Sequence, residues 1–195
     1  MLGKTHITLG LGLGALSATT FSAITQTTFS ALDLSIFYGA VTLGALLPDI
    51  DEPNSTIGRK TIGISNAIKT LCGHRGLTHS IAFIALVSLL SLLACALGGD
   101  ILREIPLIAS YVEVANLQGD NIEIFAFGLV LGCVFHLIGD MLTISGVPLM
   151  LPFNAKPYHI FPPFLRFKTG SMWDYAVGGA GAFVFGFLNL QFFGI

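Results

Sequence analysis

Apolar residues in this chain run in long blocks, and the ionisable ones collect at the ends of those blocks. Five blocks approach the roughly 20 residues that a helix needs to cross a bilayer. They cover 7–29, 32–48, 79–98, 122–142 and 174–194. The third, HSIAFIALVSLLSLLACALG, is the clearest, and the first is diluted by Ser and Thr. A further apolar piece near 105–112 is too short to span, and Pro106 and Glu113 mark it as an interfacial turn or helix. The glycines of the first and last blocks suit close helix packing in lipid. The pattern predicts an all-α integral membrane bundle of about five spans, with residues 1–195 as one domain.

Composition agrees. Hydrophobic residues make up 53% of the chain and charged ones only 10%, where a soluble domain would carry about a quarter charged. The formal charge of −2 comes without a basic run, so no nucleic-acid partner is expected. The three cysteines, Cys72, Cys95 and Cys133, form no CxxC, which argues against a disulfide framework or a zinc finger. The N-terminus, with Lys4 before an apolar stretch, is like a signal peptide. His6 lies where a metal motif could begin, which favours an uncleaved first span.

Five spans and a cytoplasmic N-terminus put Lys4, Arg59, Lys60, Lys69, Arg75, Lys156, Arg166 and Lys168 inside and only Arg103 outside. That is the asymmetry of the positive-inside rule. It predicts a multi-pass membrane protein with its N-terminus in the cytoplasm. The same topology brings His6, Asp49, Asp51, His74, His79, His136, Asp140 and Asp174 to the cytoplasmic ends of spans. Ionisable groups in a chain this apolar mark functional sites. His and Asp together are good ligands for zinc and similar ions.

Each motif has a plainer reading beside the chemical one. In HLIGD, His136 and Asp140 are four apart and share a helix face, which suits either a ligand pair or a hydrogen bond. In HRGLTHS, a turn through Gly76 would let His74 and His79 both point inward, with Thr78 capping the following helix. Arg75 offers a fork of donors for phosphate, or serves as a topology-setting charge. In LLPDIDEP, an extended stretch would put Asp49 and Asp51 on one side, either solvated or bridging metal. Asp174 opens the last block, where an acid also suits a helix N-terminus. His159 lies in the loop NAKPYHIFPPFLRF, whose aromatics suit the headgroup level.

Some motifs are absent. There is no HExxH, no GxSxG and no P-loop. Lipid phosphatases that use a phosphohistidine also end in HxxxD, but they need an Arg six residues earlier, where this chain has Val130.

Taken in order, the Thr-His near the start, GALLPDIDEPNSTIGRK, HRGLTHS and HLIGDMLTISGVPLMLPF resemble the YdjM-like family. The resemblance runs from His6 to about Asp174. It implies a LexA-regulated (SOS response), membrane-bound, metal-dependent hydrolase, distantly similar to zinc-dependent phospholipases C. Carried onto this chain, it implies ligands at His6, Asp49 or Asp51, His74 or His79, His136 and Asp140. Asp174 stands where the family's late acid is expected, often Glu. The expected cofactor is a divalent metal, zinc foremost, in about one to three ions. The expected substrate is a phosphoester such as a phospholipid headgroup at the cytoplasmic face. Asp49 or Asp51 would serve as base and Arg75 would hold phosphate. The alternatives are a metal-ion transporter, or a membrane protein whose metal only ties loops together.

Overall fold

The apolar blocks lie mostly on long helices whose ends are set by local chemistry. The computed structural model describes residues 1–72, 76–104 and 119–193. Within them lie α1 (Gly3–Thr25), α2 (Ala31–Gly44), α3 (Ile62–Cys72), α4 (Ile81–Glu104), α5 (Gly119–Met141) and α6 (Met172–Phe193). Short 3-10 turns sit at Leu47–Asp51, Gly58–Lys60, Leu77–His79 and Pro163–Leu165. Among the described residues there is no strand, only isolated bridges at Thr143–Phe167 and Val147–Tyr158. The fold is an all-helical membrane bundle.

Gln26, in the left-handed region, ends α1. Ser30 then starts α2 through a capping box, accepting from Asp33 N at 3.1 Å while Asp33 accepts from Ser30 N at 2.9 Å. Three helical stretches are long and apolar enough to cross a membrane: Gly3–Thr25, Ala31–Asp51 and Asp120–Met141. Ile81–Leu97 is apolar but shorter. On α4, Leu89, Leu90 and Leu92 are exposed, as suits a helix face turned to lipid.

The bundle is held by backbone approaches that only glycine permits. A Cβ on Gly12 of α1 would meet the Gly181 backbone of α6, and one on Gly181 would meet Thr8 and Leu9. Likewise, a Cβ on Gly44 of α2 would run into the Leu129 carbonyl of α5, and one on Gly132 into the Val41 carbonyl. Without a hydrophobic drive between helices in lipid, such close packing supplies the attraction. Ala18, Leu34, Phe37, Val41 and Phe135 fill the space between α1, α2 and α5. As a result α2 and α5 end where α1, α4 and α6 begin.

Several expectations need correction. The first helix starts at Gly3, not near 7, so His6 lies inside it. Asp49 and Asp51 lie on a 3-10 turn with Pro48 near its start, not on an extended stretch. Pro48 suits that position because its missing N–H is not needed there. Ser80, not Thr78, caps α4: its Oγ accepts from Phe83 N at 3.3 Å. The piece near 105–112, His74 and Arg75 lie outside the described residues.

Candidate metal centre

Five helix ends meet at one end of the bundle, and each brings a His or an Asp. His136 and Asp140 come from the last turns of α5, one turn apart. His136 is fully buried. Its Nδ1 lies 2.7 Å from the Ala45 carbonyl just after α2. A carbonyl only accepts, so Nδ1 carries the proton and Nε2 presents a lone pair. The Ala45 carbonyl is free for this because the last carbonyls of a helix have no partner within it.

His79 is fixed in the same sense from the other side. Asp51 Oδ2 accepts from Thr78 Oγ1 at 2.7 Å and from Gly76 N at 3.3 Å. With its proton spent on Asp51, the Thr78 hydroxyl accepts from His79 Nδ1, 3.1 Å away. Asp51 Oδ2 itself lies 3.7 Å from Nδ1. This chain of acceptors leaves His79 Nε2 facing inward. A His whose second nitrogen donates to a carbonyl or carboxylate is the usual form of a metal-binding His.

The inward atoms converge. His79 Nε2 and His136 Nε2 are 3.3 Å apart. Asp49 Oδ1 lies 3.6 Å from the first and 3.8 Å from the second. Asp140 Oδ2 lies 3.8 Å and 3.9 Å from the same two atoms. Ligands on a tetrahedron with bonds of 2.0–2.1 Å stand roughly 3.3 Å from one another. Asp49, His79 and His136 therefore face one point at slightly more than zinc-ligand spacing, and Asp140 Oδ2 lies within 4 Å of both imidazole nitrogens.

A second group shares members with the first: His6, His136 and Asp140. The His6 ring stacks on His136 with centroids 3.7 Å apart. Gly139 makes room for it, since a Cβ there would come within 3.3 Å of His6 Nδ1. His6 Nε2 is 3.2 Å from Asp140 Oδ1. Neither buried nitrogen of His6 has a hydrogen bond among the described residues. The Met1 amino group also rests on Asp140 Oδ1, so a positive group already lies against that carboxylate. Among the described residues, Nδ1 of His6 faces no acceptor and Nε2 only the Asp140 carboxylate, and buried imidazoles so placed beside buried carboxylates are costly unless a cation satisfies them. The donor set thus fits a divalent metal.

Burial would push the His79 imidazole down, but the carboxylates of Asp49 and Asp51 beside its two nitrogens outweigh this and raise it to about 9.

Of the residues expected at the site, His6, Asp49, His79, His136 and Asp140 come together. Asp51 stands behind His79 on its Nδ1 side. Asp174 belongs to neither group; its Oδ2 accepts from Gly170 N at 2.7 Å and Leu2 N at 3.2 Å, tying α6 to the N-terminus. His74 and Arg75 lie outside the described residues. His159 is placed apart, its Nε2 on the Ile144 carbonyl at 3.1 Å. Sequence reasoning missed the Ala45 carbonyl, the Met1 amino group and the Thr78 relay.

A family model described as YdjM inner membrane protein matches residues 1–192. The chain is 28% identical to the uncharacterized protein YvsG of Bacillus subtilis over 171 residues, 88% of this chain and 83% of that one. It is 36% identical to the inner membrane protein YdjM of Escherichia coli over 113 residues, 56% of this chain and 46% of that one. The YdjM of Shigella flexneri gives the same figures. The chain thus matches about half the length of those two relatives. No solved structure matches.

Proposed function

The chain belongs to the YdjM inner membrane protein family, and from that membership and the buried His–Asp cluster we propose that it is a membrane-bound, metal-dependent hydrolase of phosphoesters. One observation carries the proposal. Donor atoms of Asp49, His79, His136 and Asp140, brought from three separate segments, gather about two imidazole nitrogens 3.3 Å apart whose outer hydrogen bonds are already arranged.

His79, His136 and Asp140 would hold one divalent ion, with Asp49 at its open side and zinc the best match to the donor set. His6 with the other oxygen of Asp140 offers a second position. A metal there supplies Lewis acidity toward a phosphoryl oxygen and lowers the pKa of water. The protein's own part is geometric. Ala45 and Asp51 with Thr78 fix the two imidazoles, so little reorganisation accompanies binding.

Asp49 is the open edge of the cluster. Its side chain is 20% exposed, whereas those of His79, His136 and Asp140 are at most 1% exposed. Substrate would approach there, with Asp49 positioned to accept a proton. Asp51, buried behind His79, serves orientation and not proton transfer. Arg75 enters as the phosphate-holding fork on sequence grounds alone. Closing the ligand shell at Asp49 would instead make the site structural, and the exposure of that one member favours reaction.

Turnover decides between them. Metal-loaded protein in detergent is assayed on phospholipid in mixed micelles and on a soluble phosphoester. Hydrolysis that disappears in Asp49→Ala with the fold intact supports the hydrolase. A metal-loaded wild type that turns over neither substrate overturns it and leaves the structural reading.

A further inference from the structure

The connection between α5 and α6, residues 142–171, is fastened over the cluster. Ile160 N donates to the Met141 carbonyl at 3.0 Å, next to Asp140, and Ile81 N donates to the Leu149 carbonyl at 2.9 Å, two residues from His79. Its outer surface is unusual for a loop. Phe153 is 94% exposed and Phe164 83%, with Ile160 and Leu165 about half exposed. Met172 at 82% and Trp173 at 68% continue the surface into α6. Large contiguous apolar exposure marks an interaction site. The stretch holds Lys156, Arg166 and Lys168 and no Asp or Glu. Lys156 and Lys168 are exposed, and the Arg166 Nε donates to the Phe161 carbonyl at 2.8 Å, fixing its guanidinium at the aromatic surface.

We propose that residues 142–173 form a platform that dips into the leaflet beside the cluster and binds lipids with anionic headgroups. Aromatic side chains favour the headgroup level and basic ones reach from it to phosphates. Three cations without a single acid select negative lipid over zwitterionic lipid. The proposal goes beyond the hydrolase reading and does not depend on it, because lipid binding is read here without turnover.

Trp173 is the sole tryptophan of the chain, so it reports its own lipid surroundings. The protein is reconstituted into vesicles of equimolar phosphatidylcholine and phosphatidylglycerol, with bromine on the chains of one lipid or the other. Bromine quenches tryptophan on contact. The expected result is quenching in both cases, stronger with brominated phosphatidylglycerol, corresponding to a preference of about fivefold or more. Raising salt should reduce the preference. In the triple variant Lys156→Gln, Arg166→Gln, Lys168→Gln the preference should vanish while quenching persists. Wild-type quenching that is equal for the two lipids overturns the anionic preference. Absence of quenching by either places the platform against water or another protein and overturns the proposal without need of the variant. A folded triple variant that keeps the preference overturns the role of these cations.

Discussion

Asp51→Asn tests whether a residue that touches no metal controls metal binding. The native carboxylate only accepts hydrogen bonds, so it forces Thr78 to donate to it and to accept from His79 Nδ1. Asn keeps the shape and one acceptor but removes the charge. It also offers an N–H that can reverse the relay and put the His79 proton on Nε2, where a metal must bind. Partners that orient a metal-binding His typically matter by about 10–100-fold in affinity, roughly 1.4–2.7 kcal/mol. A ligand at 100 times its Kd stabilises by about 2.7 kcal/mol, and a 10–100-fold weaker one at the same concentration by about 1.4 to 0.4 kcal/mol. The assay is zinc competition with a chelator, paired with thermal unfolding in detergent with and without zinc. Because Thr78→Val interrupts the same relay, the double variant should lose little more than the worse single one. Wild-type zinc affinity in a folded Asp51→Asn protein would refute the orienting role, and additive losses would refute the shared relay.

Two further outcomes follow from the same geometry. Gly132→Ala should separate α2 from α5 at the Val41 carbonyl and cost about 1–3 kcal/mol, with weaker zinc binding because Asp49 follows α2 and His136 rides on α5. Gly39→Ala, which meets nothing within 4 Å, should leave thermal unfolding and zinc titration unchanged. The second outcome is a pH dependence. His79 is raised in the folded protein from 6.5 to about 9. In metal-free protein its stabilisation is therefore complete below about pH 6.5 and lost as pH rises toward 9. Zinc must displace that proton, so its apparent affinity should rise about tenfold per pH unit between those values; a flat titration profile would count against His79 as a ligand.

The helices were legible because their apolar blocks are long and their interruptions contain Gly, Pro and Ser. Positions near the ends shifted where polar residues joined a helix: Lys4, Thr5 and His6 read as preceding α1, yet form its first turns. The convergence of His6, Asp49, His79, His136 and Asp140 was legible from their recurrence at alternate ends of blocks. The division of labour between Asp49 and Asp51 was not. Alternation assumes an extended chain, whereas the 3-10 turn rotates the two carboxylates to opposite nitrogens of His79. The Ala45 carbonyl carries no side-chain signal, because any residue at the end of α2 would present one. Thr78 read as a cap because Ser and Thr favour that position, and Ser80 took it instead.

The most direct test of the account is the metal-to-protein ratio of the detergent-purified chain, by elemental analysis, in the wild type and in His136→Ala. His136 is the member common to both groups of donors, and its loss leaves no complete set. The expected result is at least about one divalent ion per wild-type chain and a near-empty His136→Ala protein with unchanged helicity. A wild type that stays metal-free after dialysis against zinc, or a His136→Ala protein that retains the full complement, would contradict it.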